Sequence, residues 1–303
     1  MFKGCGTALV TPFRSDSSLD EAAVRRLARR QVEAGIDFLV PCGTTGENPT
    51  LTREEHLRVV EIAVEEAKPA GIPVLAGAGG YNTAEVAERA KECEHLGANG
   101  ILSVTPYYNK PTPEGLYQHY KTIAAHTSLP IVVYNVPGRT GLNVEPATMK
   151  RLAEIDSIIG VKEASGNITQ QAAIIARLPE RFAVLAGDDG ISLPLLALGG
   201  QGLISVASNE IPAEMTRMVR LAMNGDFASA RALYFRYLPL LDINFCEPNP
   251  MPVKAAMAMM GLLEPAWRLP MVPPKPESVA KIEAVLRSLG LLQADSSFAK
   301  ASD

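Results

Sequence analysis

Eight short apolar runs, most of them followed by a stretch long enough for a crossover helix, constrain this chain more than any other feature. The runs are Gly6 to Val10, Phe38 to Cys42, Pro73 to Gly77, Gly100 to Thr105, Ile131 to Asn135, Ile158 to Glu163, Ala183 to Gly187 and Gly202 to Val206. Their apolar residues are continuous and do not alternate, which is the pattern of strands covered on both faces. Between them lie amphipathic segments such as Leu19 to Ala34, Thr52 to Lys68, Thr83 to Leu96, Pro113 to Thr127 and Pro146 to Glu154. Parallel strands need such crossovers, because a tight turn can join only antiparallel neighbours. Eight strand-and-helix units predict an α/β fold, a (β/α)8 TIM barrel.

Helix boundaries are written locally. Thr52 and Glu55 have the spacing of a capping box, and Gly35, Gly71 and Gly97 each follow a helical pattern as left-handed C-terminal residues do. After the eighth run the alternation stops, and helical patterns follow one another at Pro212 to Met223, Phe227 to Leu241, Pro252 to Gly261 and Pro276 to Leu289. Only the first can complete a barrel. The expected organisation is a barrel over residues 1–224, a helical extension over 225–292, and a polar tail over 293–303 expected to be disordered.

Composition narrows the function. The chain has 303 residues, 29 basic and 33 acidic, and its formal charge of -4 comes with no basic stripe, so nucleic acid is not an expected partner. No membrane association is expected either: the longest apolar helical pattern is too short to span a bilayer and contains Lys254. The first residues, MFKGCGTALVTPF, lack the apolar length of a signal peptide. Cys5, Cys42, Cys93 and Cys246 are scattered without a CxxC pair, so reduced thiols and a cytoplasmic location are expected. Small-molecule chemistry is the remaining class.

In such barrels the chemistry sits on loops at the C-terminal ends of the strands. Lys162 stands alone in the sixth apolar run. A lysine amine held against apolar surroundings is favoured as a neutral nucleophile able to form a Schiff base with a carbonyl; the bland alternative is a strand-end lysine whose head reaches water. Gly43-Thr44-Thr45-Gly46-Glu47 after the second run offers amides and hydroxyls to a small carboxylate, or is simply a capped turn. Tyr134 ends the neighbouring fifth run, as proton shuttle or as packing, and Arg139 follows it between two glycines, where its fork could take a carboxylate. Tyr107 and Tyr108 form an aromatic pair suited to a subunit contact. Gly187-Asp188-Asp189-Gly190 resembles an ion loop only superficially. His56, His95, His119 and His126 fall on helical patterns, expected to face solvent or neighbouring helices, so no metal is expected.

Three segments, Gly43-Thr44-Thr45-Gly46-Glu47, Tyr134-Asn135-Val136-Pro137-Gly138-Arg139-Thr140-Gly141 and Gly160-Val161-Lys162-Glu163-Ala164, resemble the dihydrodipicolinate synthase and N-acetylneuraminate lyase family of class I pyruvate aldolases. The resemblance extends to about Leu292 and includes Glu247-Pro248-Asn249-Pro250-Met251-Pro252-Val253-Lys254. Within the family, the Arg139 segment and the Tyr107-Tyr108 pair are similar to the dihydrodipicolinate synthase branch and not to the sugar-acid lyases. The resemblance implies condensation of pyruvate, held as an imine on Lys162, with L-aspartate 4-semialdehyde, on the diaminopimelate route to lysine. It implies Thr44, Tyr134 and Tyr108 as a proton relay, Tyr108 coming from another subunit. Thr45 would hold the pyruvate carboxylate and Arg139 that of the semialdehyde, with Gly187 and Ile204 lining the pocket. No cofactor is implied, and the assembly would be a homotetramer, a dimer of dimers.

Many bacterial members are inhibited by lysine at a cleft whose positions match Asn48, Pro49, Arg53, His56, Tyr81, Glu85 and Tyr107. Tyr81 stands where lysine-sensitive members typically carry Asn, and Arg53 where some carry His, so weak or absent lysine feedback is expected. Two other enzymatic readings compete, a sister lyase acting on a 2-keto sugar acid or hydroxyproline-pathway keto acid, and a metal-dependent aldolase, for which the ligands are lacking. From another class comes an inactive pyruvate-binding barrel, which predicts loss of the lysine or tyrosines that are all present.

Overall fold

The structure, a computed structural model, describes residues 2–292, and the tail 293–303 lies outside them. The chain runs β1 (Gly4–Ala8), α1 (Glu21–Glu33), β2 (Phe38–Val40), α2 (Arg53–Ala67), β3 (Leu75–Gly77), α3 (Thr83–His95), β4 (Gly100–Val104) and α4 (Pro113–Ala124). It continues through β5 (Ile131–Asn135), α5 (Pro137–Thr140), α6 (Pro146–Leu152), β6 (Ile158–Glu163), α7 (Ile168–Arg177), β7 (Ala183–Ala186), α8 (Ser192–Ala197) and β8 (Gly202–Ser205). Four helices follow: α9 (Pro212–Met223), α10 (Phe227–Ile243), α11 (Met251–Met259) and α12 (Pro276–Ser288).

All strand pairs are parallel, in the order β2-β1-β8-β7-β6-β5-β4-β3. Between β2 and β3 the wall closes through a single bridge, Leu39 to Val74, and through the Gly77 amide donating to Pro41 O at 2.9 Å. This is the (β/α)8 barrel that the apolar runs predict. The alternation within each strand sorts its side chains into two layers. Phe2, Ala8, Phe38, Val40, Leu75, Leu102, Val132, Tyr134, Leu185 and Ile204 fill the interior, whereas Val133, Val161, Val184 and Leu203 pack outward against the helices. Residues of α10, α11 and α12, among them Leu240, Ala256 and Ile282, join that outer core.

β1 begins two residues before the expected run. Gly4 and Gly6 hide it, since glycine is poor in strands, yet pairing with β8 holds the segment. Gly6 is glycine for packing: a Cβ there would lie 2.1 Å from the Phe38 ring. The expected local signals are present elsewhere. Thr52 accepts from the Glu55 amide while the Glu55 carboxylate accepts from the Thr52 amide, and Gly35, Gly71 and Gly97 have φ of +79°, +68° and +87°. Among the described residues no helix is long and apolar enough to cross a membrane.

Candidate active site

A cleft of about 200 Å³ opens at the C-terminal ends of β2 to β5. Its walls include Thr44 from the loop after β2, Leu102 and Val104 from β4, Tyr134 at the end of β5, and Arg139. Arg139 is held by α5, a single turn whose first amides return to Val136 O and which ends at Gly141 in the left-handed region. Its guanidinium donates to the backbone carbonyl of Asn249 at 3.1 Å, in the segment entering α11.

Lys162 is not among the residues lining this cleft but lies against Tyr134, which is. Strand register sets it beside Tyr134 on one side and Leu185 on the other, and its Nζ lies 4.4 Å from the centroid of the Tyr134 ring. The residue is only 5% exposed, and no carboxylate lies within ion-pair distance of its amine among the described residues. Glu163, next in the chain, projects to the other face and accepts from Asn135 Nδ2 and the Ser165 amide. The electron-rich face of the tyrosine is the contact the Lys162 amine has. Gly187 makes room for its stem: a Cβ there would stand 3.1 Å from both Lys162 Cγ and Cε and 2.6 Å from Ala164 Cβ.

Thr45, next to Thr44 but not among the cleft's lining residues, is buried, and its hydroxyl oxygen accepts from Asn249 Nδ2 at 3.0 Å. Ile204 is fully buried in the barrel interior. Tyr108 is not brought to the cleft. It is 90% exposed and sits in the left-handed region at φ 67°, on a loop where the Asn109 side-chain amide donates to Tyr81 O.

The residues expected to bind lysine divide. Asn48, His56, Tyr81, Glu85 and Tyr107 line a second cleft of about 170 Å³, which shares Asn48, Gly79 and Tyr107 with the first. Pro49 lines the first cleft only, and Arg53 lines neither, being paired with Glu92 on the surface. Tyr81 packs edge-on against Tyr107, ring centroids 5.1 Å apart, and burial, helped by Tyr81 and Glu85, holds the Tyr107 phenol above its usual pKa.

Of the expected settings, His95 and His126 take solvent, whereas His56 and His119 turn to neighbouring elements: each is buried, bonded to Asn48 Oδ1 and to the Thr83 hydroxyl respectively, and burial pulls their pKa values down to about 3 and about 4. In the Asp188-Asp189 loop, Asp189 is buried and accepts from the Ser205 hydroxyl and the Val206 and Ala207 amides, so it ties β8 to the loop after β7. Asn249 is a residue that sequence reasoning did not single out, although it contacts both Thr45 and Arg139.

A parallel barrel with a largely apolar cleft at the C-terminal ends of its strands, set with a few polar groups, and a buried unpaired lysine against the tyrosine that walls it, defines a small-molecule barrel enzyme. The chain belongs to the dihydrodipicolinate synthetase family, whose sequence model matches residues 1–289. It is 54% identical over 292 residues to the 4-hydroxy-tetrahydrodipicolinate synthase of Koribacter versatilis, covering 96% of this chain and 97% of that one. Its fold is similar to that of dihydrodipicolinate synthase from Aquifex aeolicus, with a TM-score of 0.94, 42% identity and coverage of 97% and 100% of the two chains. It is equally similar, at TM-score 0.94 and 40% identity over 96% of this chain and 100% of the other, to a chloride-inhibited dihydrodipicolinate synthase from Acinetobacter baumannii complexed with pyruvate.

Proposed function

We propose that this enzyme is a 4-hydroxy-tetrahydrodipicolinate synthase, joining pyruvate to L-aspartate 4-semialdehyde, and that Lys162 carries the pyruvate. The observation that bears most of this reading is the placement of Lys162: buried, without an anionic partner, and against the ring of a tyrosine that walls the cleft. Its Nζ adds to the keto carbon of pyruvate and water leaves, giving an iminium. Loss of a proton from the methyl carbon gives an enamine, and that carbon attacks the aldehyde. The iminium is the electron sink, so no cofactor and no metal are required. Thr45 is proposed to receive the pyruvate carboxylate, and Arg139, fixed by Asn249, that of the aldehyde substrate. Gly187 gives the Lys162 stem its space, and Ile204 packs the barrel interior beneath the site.

The proposed proton relay is Thr44, Tyr134 and Tyr108. The first two line one cleft, whereas Tyr108 is exposed in a strained conformation, as suits a residue completed by a second copy of the chain. A homotetramer acting in the cytoplasm is proposed accordingly. At the second cleft, Tyr81 occupies space and ties down Tyr107, which supports weak or absent inhibition by lysine.

Mass spectrometry after treatment with pyruvate and borohydride tests the reading, together with coupled turnover of aspartate semialdehyde. A reduced pyruvyl adduct on Lys162 with turnover is expected. An adduct without turnover moves the substrate to a sugar acid or another aldehyde, and no adduct from folded protein removes the imine reading.

A further inference from the structure

Lys254 is out of place in its helix. Met251 to Met257 of α11 are buried throughout, and Lys254 itself is 0% exposed. Burial pulls its amine below the ordinary lysine pKa, while Glu47 pulls the other way. Such a charge persists only where it is paired, and its partner is Glu47, whose Oε1 lies 2.5 Å from Nζ and whose side chain is 1% exposed. Glu47 closes the loop that carries Thr44 and Thr45.

That loop does not hold its shape through local preference. Cys42 and Glu47 both occupy the left-handed region, at φ 58° and 50°, which non-glycine residues adopt only when their surroundings enforce it. Within the loop only two turn bonds act, from the Gly46 amide to Gly43 O and from the Glu47 amide to Thr44 O, each 3.1 Å. The other restraints come from outside β2. Thr11 Oγ1 donates to Gly46 O at 2.7 Å, Asn249 Nδ2 to Thr45 Oγ1, and the Arg268 amide reaches Glu47 Oε2 at 3.4 Å. The buried Phe13 ring faces both cations, with Lys254 Nζ at 4.4 Å and Arg268 Cζ at 4.1 Å from its centroid. The Arg268 guanidinium in turn grips both Glu55 oxygens and Thr50 O, at the start of α2 and just ahead of it.

We propose that the Glu47–Lys254 ion pair is a positioning device for Thr44 and Thr45, so that the C-terminal extension and not the barrel alone sets the geometry receiving the pyruvate carboxylate. This rests on the synthase reading for its substrate. The pair acts through the loop backbone and touches no reacting atom, so its signature is in substrate capture through Thr45 and in turnover through Thr44 of the proposed relay. A loss of uniform binding at Thr45 raises KM, and a misplacement of order 1 Å at Thr44, a member of the proposed relay, costs up to about 10²-fold in rate.

The test compares the parent with Lys254→Met and with Glu47→Gln/Lys254→Met, which removes both charges and so leaves no buried ion unpaired. Three quantities are read: thermal stability, KM and kcat for pyruvate, and hydrogen exchange at the Gly46 and Glu47 amides. Lys254→Met is expected to lose stability and the double variant to regain much of it. Both should show a pyruvate KM raised tenfold or more, a kcat lowered about tenfold as Thr44 of the proposed relay moves with the loop, and faster exchange at the two loop amides. A double variant with parental stability, parental KM and parental exchange would overturn the proposal and leave the pair a packing element. If the parent itself forms no pyruvate adduct, the synthase reading fails, while faster loop exchange in the double variant would still support the clamp.

Discussion

Replacing Gly187 by alanine tests the placement of Lys162 most directly. The added methyl would stand 2.6 Å from Ala164 Cβ and 3.1 Å from Lys162 Cγ and Cε. Carbon atoms settle at about 3.5–4.0 Å, so relief requires about 1 Å of movement from Ala164 and about 0.5 Å from the lysine stem. The strand ends resist: the Gly187 amide donates to Glu163 O and the Ala164 amide to Asn135 O, both at 2.9 Å. The softer element is the Lys162 side chain, which is pushed from its present position against the Tyr134 ring. Overpacking of this kind costs about 1–3 kcal/mol, a fall in Tm of roughly 2–6 °C for a chain of this size. A nucleophile displaced by a fraction of an ångström loses about 10- to 100-fold in rate. The assay is the rate of borohydride-trapped adduct formation at saturating pyruvate, with Tm measured alongside. Adduct formation within twofold of the parent at an unchanged Tm would refute the argument that the Lys162 stem is confined by Gly187.

Thr45→Val keeps shape but removes the acceptor for Asn249 Nδ2, a buried donor then left unpaired at about 1–3 kcal/mol; a pyruvate KM raised about tenfold with small change in kcat is expected, and an unchanged KM would remove Thr45 from the carboxylate site. Glu210 supplies a pH dependence. It is buried beside Asn244, whose Nδ2 donates to Oε2, and burial with the nearby Asp189 raises its pKa to about 8 against the opposing pull of Arg30. The folded protein therefore holds a proton that the unfolded chain has released, and this group's stabilisation is full below the ordinary glutamate pKa and lost as pH rises to about 8. Urea unfolding should show stability falling by up to roughly 1.4 kcal/mol per pH unit through that window, and Glu210→Gln should remove that component; an unchanged slope in the variant would exclude Glu210 as its source.

Much of the molecule is legible in the chain because it rests on interactions between near neighbours. Continuous apolar runs mark doubly covered strands, the Thr52–Glu55 box and the left-handed glycines mark helix ends, and two adjacent strand ends suffice to set Tyr134 beside Lys162 once the strands are parallel. Which histidines face neighbouring elements and which face solvent stayed open, because the helical pattern around them does not tell which face a bond to Asn48 or Thr83 will draw inward. What sequence alone left open is the loop around Thr44 and Thr45. Its geometry depends on Asn249 and Lys254, 204 and 207 residues away along the chain from Thr45 and Glu47. A lone lysine among the buried residues of α11 was the available signal, since a charge in an apolar helix demands a partner. Which carboxylate answers it was decided only when the barrel closed and the extension packed back across its mouth, because burial makes pairing obligatory without specifying, along the sequence, who the partner is.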